Sequence, residues 1–275
     1  MPRCVSPERS CGAVHLCSPF TGAGGRGGCP VVRFSGSSTN PALADLLSLA
    51  KGMAVQFVLP DGSFTNLVGT TVPVFFARTP ESFLDIIRAA HRVQEGSVQL
   101  WDLITEISAH FAESKESLLA VKNLKPPASY GESRYYCIHA YFFTDREDNA
   151  HPVKFEWIPD AGVRTMSIIE AADQPSDYLE DELRLRLKEK PVVFMLTAIL
   201  GEAGDPTNDP TCAWPDDRRR IDLGRLYISK IINEPADLFM DPTVISSGMA
   251  LSDDPILNFR HVVYAESYQR RRDGR

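Results

Sequence analysis

Along most of this chain, apolar positions alternate with polar ones in short runs and then break. That is the spacing of half-buried strands rather than of long helices. Runs at residues 30–35, 53–58, 63–68, 71–77, 135–144, 153–158, 192–201 and 221–231 read as eight strands. The turn signal Pro60-Asp61-Gly62 joins the second run to the third, and residues 145–150 join the fifth to the sixth, so both pairs predict hairpins. Helical spacing appears over 41–51, opened by Asn40 and Pro41, and over 80–93, where Thr79 is the expected cap and Pro80 the first helical residue. It recurs over 100–112, 115–121 and 176–189, the last charged enough to read as a solvated face. Residues 239–254 read as extended. Ser252-Asp253-Asp254-Pro255 then opens a final helix, with Ser252 as the expected cap and nothing to break it before Arg272.

Eight strands in mostly hairpin order can close into a barrel, which removes its own edges. The expected fold is α+β: an eight-stranded antiparallel β-barrel, helices packed around it, and one helix at the C-terminus. No repeat is visible, and residues 30–275 read as one domain. Residues 1–29 stand apart. Cys4, Cys11, Cys17 and Cys29 sit among Ser and Pro, followed by the Gly-rich run 22–28, with no hydrophobic period, so this segment is expected to be irregular. Its cysteines lack the paired short spacing of a zinc site.

Composition narrows the function classes. With 275 residues, 43% of them hydrophobic, the chain can bury one sizeable core. A net charge of −7 and a pI near 5.4 argue against a nucleic-acid surface. No apolar run approaches the roughly 18 residues of a membrane span. The N-terminus lacks the apolar core of a signal peptide, so a cytoplasmic location is expected. Cys137 and Cys212 read as buried or partly buried thiols. No Ser-His-Asp set, carboxylate pair or metal triad can be read from spacing.

The candidate chemistry lies in the final helix, Arg260-His261-Val262-Val263-Tyr264-Ala265-Glu266-Ser267-Tyr268-Gln269-Arg270-Arg271-Arg272. Arg260 and Tyr264 stand one turn apart on one face. A cation beside a phenol favours the phenolate, and a phenolate is a hard ligand suited to ferric iron. The basic end also suits a helix C-terminus for purely structural reasons.

This stretch resembles the proximal haem helix of the catalases and the shorter catalase-related peroxidases. The resemblance implies that Tyr264 ligates haem iron, Arg260 supports the phenolate and Arg271 meets a haem propionate. Val32-Arg33-Phe34-Ser35 is similar to a second family block, in which Arg33 would bind a propionate and Ser35 would accept a hydrogen bond from a distal His. A third lies at Leu67-Val68-Gly69-Thr70-Thr71-Val72-Pro73-Val74-Phe75-Phe76-Ala77-Arg78, with Phe83 matching the aromatic ring stacked over the haem. Thr70 stands where large catalases carry a peroxide-binding Asn; its shorter reach implies peroxidase chemistry rather than vigorous dismutation. Leu223-Gly224-Arg225-Leu226 and Phe239-Met240-Asp241-Pro242 with Gly248 are similar to the strand and wrapping segment before the proximal helix. His139 matches a His that the family keeps in a barrel strand and reads as a satisfied core histidine. His15, in Ala13-Val14-His15-Leu16-Cys17, is the only His before Arg33 and the candidate distal acid/base, at half the family's usual distance. The residues after Val14-His15 depart from the family pattern. Loss of that strand would leave a gap in the barrel.

The resemblance thus implies a haem b peroxidase acting on hydrogen peroxide or organic hydroperoxides, with weak or no catalase activity. A small organic electron donor would be its second substrate, and a homo-oligomer is compatible with it. Two other readings stay open: a haem-binding protein with little catalysis, and a haem enzyme that transforms lipid hydroperoxides.

Overall fold

The structure, a computed structural model, describes residues 14–17, 20–22, 28–37, 43–48, 50–94, 119–120, 122–235 and 237–274. Its strands are β1 (Val14–Cys17), β2 (Phe20–Gly22), β3 (Val31–Gly36), β4 (Lys51–Val58), β5 (Phe64–Thr70), β6 (Tyr135–Thr144), β7 (Ala150–Pro159), β8 (Val192–Leu200), β9 (Arg220–Ile228), β10 (Lys230–Ile232) and β11 (Met249–Leu251). Helices among the described residues include α1 (Pro80–Gln94), α2 (Ile168–Ala172), α3 (Tyr178–Glu189) and α4 (Pro255–Arg272).

The sheet runs in the order β10-β1-β3-β4-β5-β6-β7-β8-β9-β2, and β11 adds to β6. Its two ends belong to the same pair of chain stretches. β1 pairs with β10 and β2 pairs with β9, both antiparallel. Because β1 also pairs with β3, the sheet returns on itself as eight staves: β1/β2, β3 to β8, and β9/β10. The eight-stranded antiparallel barrel expected from the sequence is present, but its strands are not all the expected ones. Residues 14–17 and 20–22, read as irregular, are strands that close the ring. Residues 71–77, read as a strand, are bends. Pro73 has no N–H to give to a ladder, and Phe75 N donates instead to Pro210 O at 2.8 Å.

Inside the barrel, alternate residues of each strand meet: Val32, Phe34, Met53, Val55, Tyr135, Trp157, Phe194, Leu226 and Ile228 are buried in one cluster. Phe34 stacks on Tyr130 with ring centroids 4.9 Å apart. Period-two geometry then turns Arg33 and Ser35, between and beyond these, to the outer wall.

Within the helix expected over 41–51, the described residues hold a 3-10 turn at Asp45–Leu47. Lys51 is claimed by β4, where its buried Nζ reaches Asp45 Oδ1 at 2.8 Å, while Asp45 Oδ2 accepts from Leu179 N. The α1 helix starts as expected, with Thr79 Oγ1 accepting from Ser82 N. The helical patterns over 100–112 and 115–121 lie largely outside the described residues. A short helix not foreseen, α2, carries a full capping box between Ser167 and Glu170. For α4 the cap is Asp254 rather than Ser252: Asp254 Oδ1 accepts from Ile256 N and Leu257 N, with Pro255 at the first position. Among the described residues no helix is long and apolar enough to cross a membrane.

Candidate functional site

The site forms on the outer wall of the barrel, where the segment before α4 and then α4 itself lie across β3, β4 and β5. Two amide side chains on the barrel fix that segment. Asn66 Nδ2 donates to Phe239 O at 3.1 Å and to Asp241 O at 2.8 Å, and Gln56 Nε2 donates to Phe239 O at 2.9 Å. Tyr141 Oη donates to Pro242 O at 3.1 Å from a phenol that burial keeps well above its ordinary pKa, hence protonated. Backbone held this way turns Leu238 and Met240 inward against Ala54, with Val68 and Tyr264 packed beside them. Each of these hydrogen bonds contributes on the order of 1 kcal/mol, and Phe239 O accepts from two of the donors.

Between this segment, the barrel and α4 lies a cavity of about 160 Å³ lined by Arg33, Leu238, Met240, Val263, Tyr264, Ser267 and Arg271. A more open groove beside it, about 480 Å³, runs along Val262, Val263, Glu266, Ser267, Arg270 and Arg271. Arg271 Nη2 donates to Leu238 O at 2.9 Å, tying the far end of α4 to the wrapping segment. Helical spacing explains why Tyr264, Ser267 and Arg271 share this face.

Tyr264 does not stand alone. Arg260 Nη2 donates to its Oη at 2.6 Å, and the guanidinium carbon lies 5.3 Å from the phenol ring centroid. Nη1 of the same Arg260 lies 3.0 Å from His139 Nε2. His139 Nδ1 in turn lies 2.6 Å from Asp254 Oδ2. The other oxygen of that carboxylate caps α4. The result is a line of four groups, Asp254, His139, Arg260 and Tyr264, running from the start of the helix to the cavity. Burial opposes the charge on Arg260, but Tyr264 first, then Tyr141 and Asp241, together hold the guanidinium above its ordinary pKa. Burial pushes His139 below the ordinary imidazole value; Asp254 pulls the other way, while Arg260 and Lys154 reinforce the depression. A neutral ring with its proton on Nδ1 donates to Asp254 and leaves Nε2 to accept from Arg260, which satisfies every contact.

The structure brings together Arg33, Tyr264 and Arg271 around one cavity, with Arg260 behind Tyr264. Register sets the backbone of His15 opposite Arg33, two residues from Ser35. Ser35 faces Gly52 across the ladder, and Gly52 faces Thr70. A Cβ at Gly52 would sit 2.8 Å from Ser35 Oγ, so glycine there makes room for the hydroxyl. Thr70 Oγ1 is a long acceptor, at 3.5 Å, for Val72 N and does not line the cavity. Phe83 likewise does not line it. Its ring packs 5.5 Å from Phe75 and 5.4 Å from Phe76, a cluster of its own. His139 is the satisfied core histidine expected from the sequence, but its partners Asp254 and Arg260 are not foreseen there. No local signal links His139 to Asp254, since they are 115 residues apart.

Comparison with known proteins agrees with this architecture. The family model described as Catalase matches residues 14–275. A catalase-related peroxidase from Synechococcus elongatus is 30% identical over 248 residues, covering 89% of this chain and 73% of that protein. A second, from Mycolicibacterium paratuberculosis, is 31% identical, covering 88% of this chain and 77% of that one. The chain spans 56% of catalase isozyme 2 from Solanum tuberosum, to which it is 30% identical. Among solved structures, a bacterial catalase superposes with a TM-score of 0.80 over 94% of this chain and 55% of the other, at 19% identity. Catalase A from Saccharomyces cerevisiae gives 0.76 over 96% of this chain and 61% of the other, also at 19% identity. At that identity the superpositions bear on the fold alone.

Proposed function

The chain belongs to the catalase family, and from that premise we propose that it is a haem-dependent peroxidase reducing hydrogen peroxide or organic hydroperoxides, with weak or no catalase activity. The observation that carries this reading is the Arg260–Tyr264 pair opening on a cavity whose other walls hold Arg33 and Arg271. The residues suit haem b in kind. A phenol under a guanidinium offers a ligand for ferric iron. Two further guanidiniums offer partners for two propionates, and Leu238, Met240 and Val263 offer apolar walls for the ring.

When bound, the haem would supply the two electrons that reduce the peroxide O–O bond, to be replaced by the organic donor. The chain supplies the rest. Arg260 orients Tyr264 by donating to its Oη, and it is itself held by His139, which Asp254 holds in turn. Arg33 and Arg271, which line the cavity, would hold the ring's carboxylates. His15, whose backbone faces Arg33, would take a proton from one peroxide oxygen and return it to the other. Ser35, beside Gly52, would accept a hydrogen bond from that imidazole, and Thr70 would stand in for a longer amide donor. Phe83 would cover the distal side. A small organic reductant completes the cycle.

The test is turnover by the haemin-loaded chain. Peroxide-dependent oxidation of a small phenolic donor with little oxygen release is the expected result, and His15→Ala should slow it by about 10²-fold or more, the usual contribution of a positioned acid/base. Rapid oxygen release without donor oxidation, or a His15→Ala rate equal to wild type, contradicts the proposal.

A further inference from the structure

A second histidine–aspartate contact joins the wrapping segment to α4. Asp241 is fully buried, and both its carboxylate oxygens are taken. Oδ1 accepts from Thr243 N and from Thr243 Oγ1, each at 2.8 Å. Oδ2 lies 2.6 Å from His261 Nδ1, which is also 3.3 Å from Thr243 Oγ1. The His261 side chain is 61% exposed, so packing is not what it contributes. An imidazole held mostly in solvent buries little area; what it adds is a donor to a carboxylate that has left water. Further contacts between the same two elements lie towards the far end of the helix. Arg271 Nη2 donates to Leu238 O at 2.9 Å, and Tyr268 packs edge-on against Phe239 with ring centroids 5.3 Å apart. From Tyr268 back to His261 the helix runs two turns, about 10 Å.

We propose that His261 is a positioning residue for Tyr264: its Nδ1 contact with Asp241 pins the wrapping segment to the part of α4 that carries Arg260 and Tyr264, and so sets the wall that Leu238 and Met240 present to the phenol. This rests on the reading of Tyr264 as the haem ligand. Neighbours in sequence make the link short. Asp241 follows Met240, which packs with Leu238, Ala54 and Tyr264 in one cluster. His261 follows Arg260, whose Nη2 donates to Tyr264 Oη. The barrel holds the segment from the other side, through Gln56 and Asn66 to the carbonyls of Phe239 and Asp241. Those bonds fix the segment to the sheet but not to the helix. Without His261, one oxygen of a buried carboxylate loses its donor, and Asp241 gains by turning towards water, which draws Met240 with it.

The experiment uses the full chain, first without added haem. Amide hydrogen exchange is followed at Thr243 and Val244, whose N–H groups donate to Asp241 Oδ1 and Asp241 O. In His261→Ala both should exchange roughly tenfold faster, while amides of the β7–β8 ladder keep their wild-type rates. His261→Asn should restore wild-type exchange, because its amide nitrogen can stand where Nδ1 stands. Haemin is then added. His261→Ala should bind it several-fold more weakly and with a shifted ferric absorption spectrum, and His261→Asn should match wild type in both. Circular dichroism checks folding; if His261→Ala does not fold, His261→Gln, whose amide reaches past the Nδ1 position, takes its place. A folded variant lacking the contact whose Thr243 and Val244 amides exchange as in wild type overturns the inference. So does His261→Asn behaving like His261→Ala, or faster exchange with unchanged haemin affinity and spectrum. Wild type that takes up no haemin overturns the haem reading instead, and exchange at Thr243 and Val244 still decides whether His261 holds the segment.

Discussion

His139 and Asp254, 115 residues apart in the chain, meet with Nδ1 and Oδ2 separated by 2.6 Å. One carboxylate thereby serves two ends: its other oxygen caps the helix that carries Tyr264, and this one orients the imidazole behind Arg260. The start of α4 and the chemistry of its middle are mechanically coupled.

That coupling separates two substitutions. Asp254→Asn keeps a good cap and an acceptor for His139 but removes the charge, so stability should fall by about 1 kcal/mol or less. Asp254→Ala removes the cap and leaves a buried imidazole N–H without a partner, so roughly 2–4 kcal/mol should be lost. Urea unfolding of the two variants checks the ordering; equal losses would mean that the cap and the imidazole contact carry little.

Acid should weaken the fold through the same histidine. The His139 pKa is below the ordinary imidazole value of 6.5 in the folded chain. Below about pH 6.5 the unfolded chain therefore binds a proton that the folded chain does not. Stability falls as pH drops through that window and is flat above it. Denaturant midpoints for wild type and His139→Gln between pH 5 and 8 test this: the acid slope should be shallower in the variant, and identical slopes would contradict it.

Gly52 is expected to tolerate no side chain. Its missing Cβ would lie 2.8 Å from Ser35 Oγ, against a strand rather than a mobile tip. Gly52→Ala should cost about 1–3 kcal/mol through overpacking, and pairing it with Ser35→Ala should recover much of that. Thermal melts of the single and double variants measure the recovery.

The sequence was readable where a signal is local. Arg260, Tyr264, Ser267 and Arg271 repeat on one helical face, and Asp61-Gly62 names its hairpin, with Gly62 at φ 83°. It misled where the decisive partner is distant. Val72, Val74, Phe75 and Phe76 look like a strand, but Val72 and Val74 bury their side chains from irregular backbone, and the Phe75 amide bonds to a residue far along the chain. The closing strands β1 and β2 are only four and three residues long, too short to show a clear alternation; ladders on both sides, to β3 and to β9 and β10, impose the strand instead. His139 is satisfied in the core as expected, but its partners come from the start and first turns of α4, which no local spacing names.

The central claim is a bond from Tyr264 to haem iron. The measurement that tests it most directly is a haemin titration of wild type and Tyr264→Phe, followed by absorption spectroscopy. The account predicts that wild type takes up one equivalent with a ferric phenolate spectrum, and that Tyr264→Phe, still folded, loses that spectrum and most of its affinity. An unchanged ferric spectrum in Tyr264→Phe would contradict it.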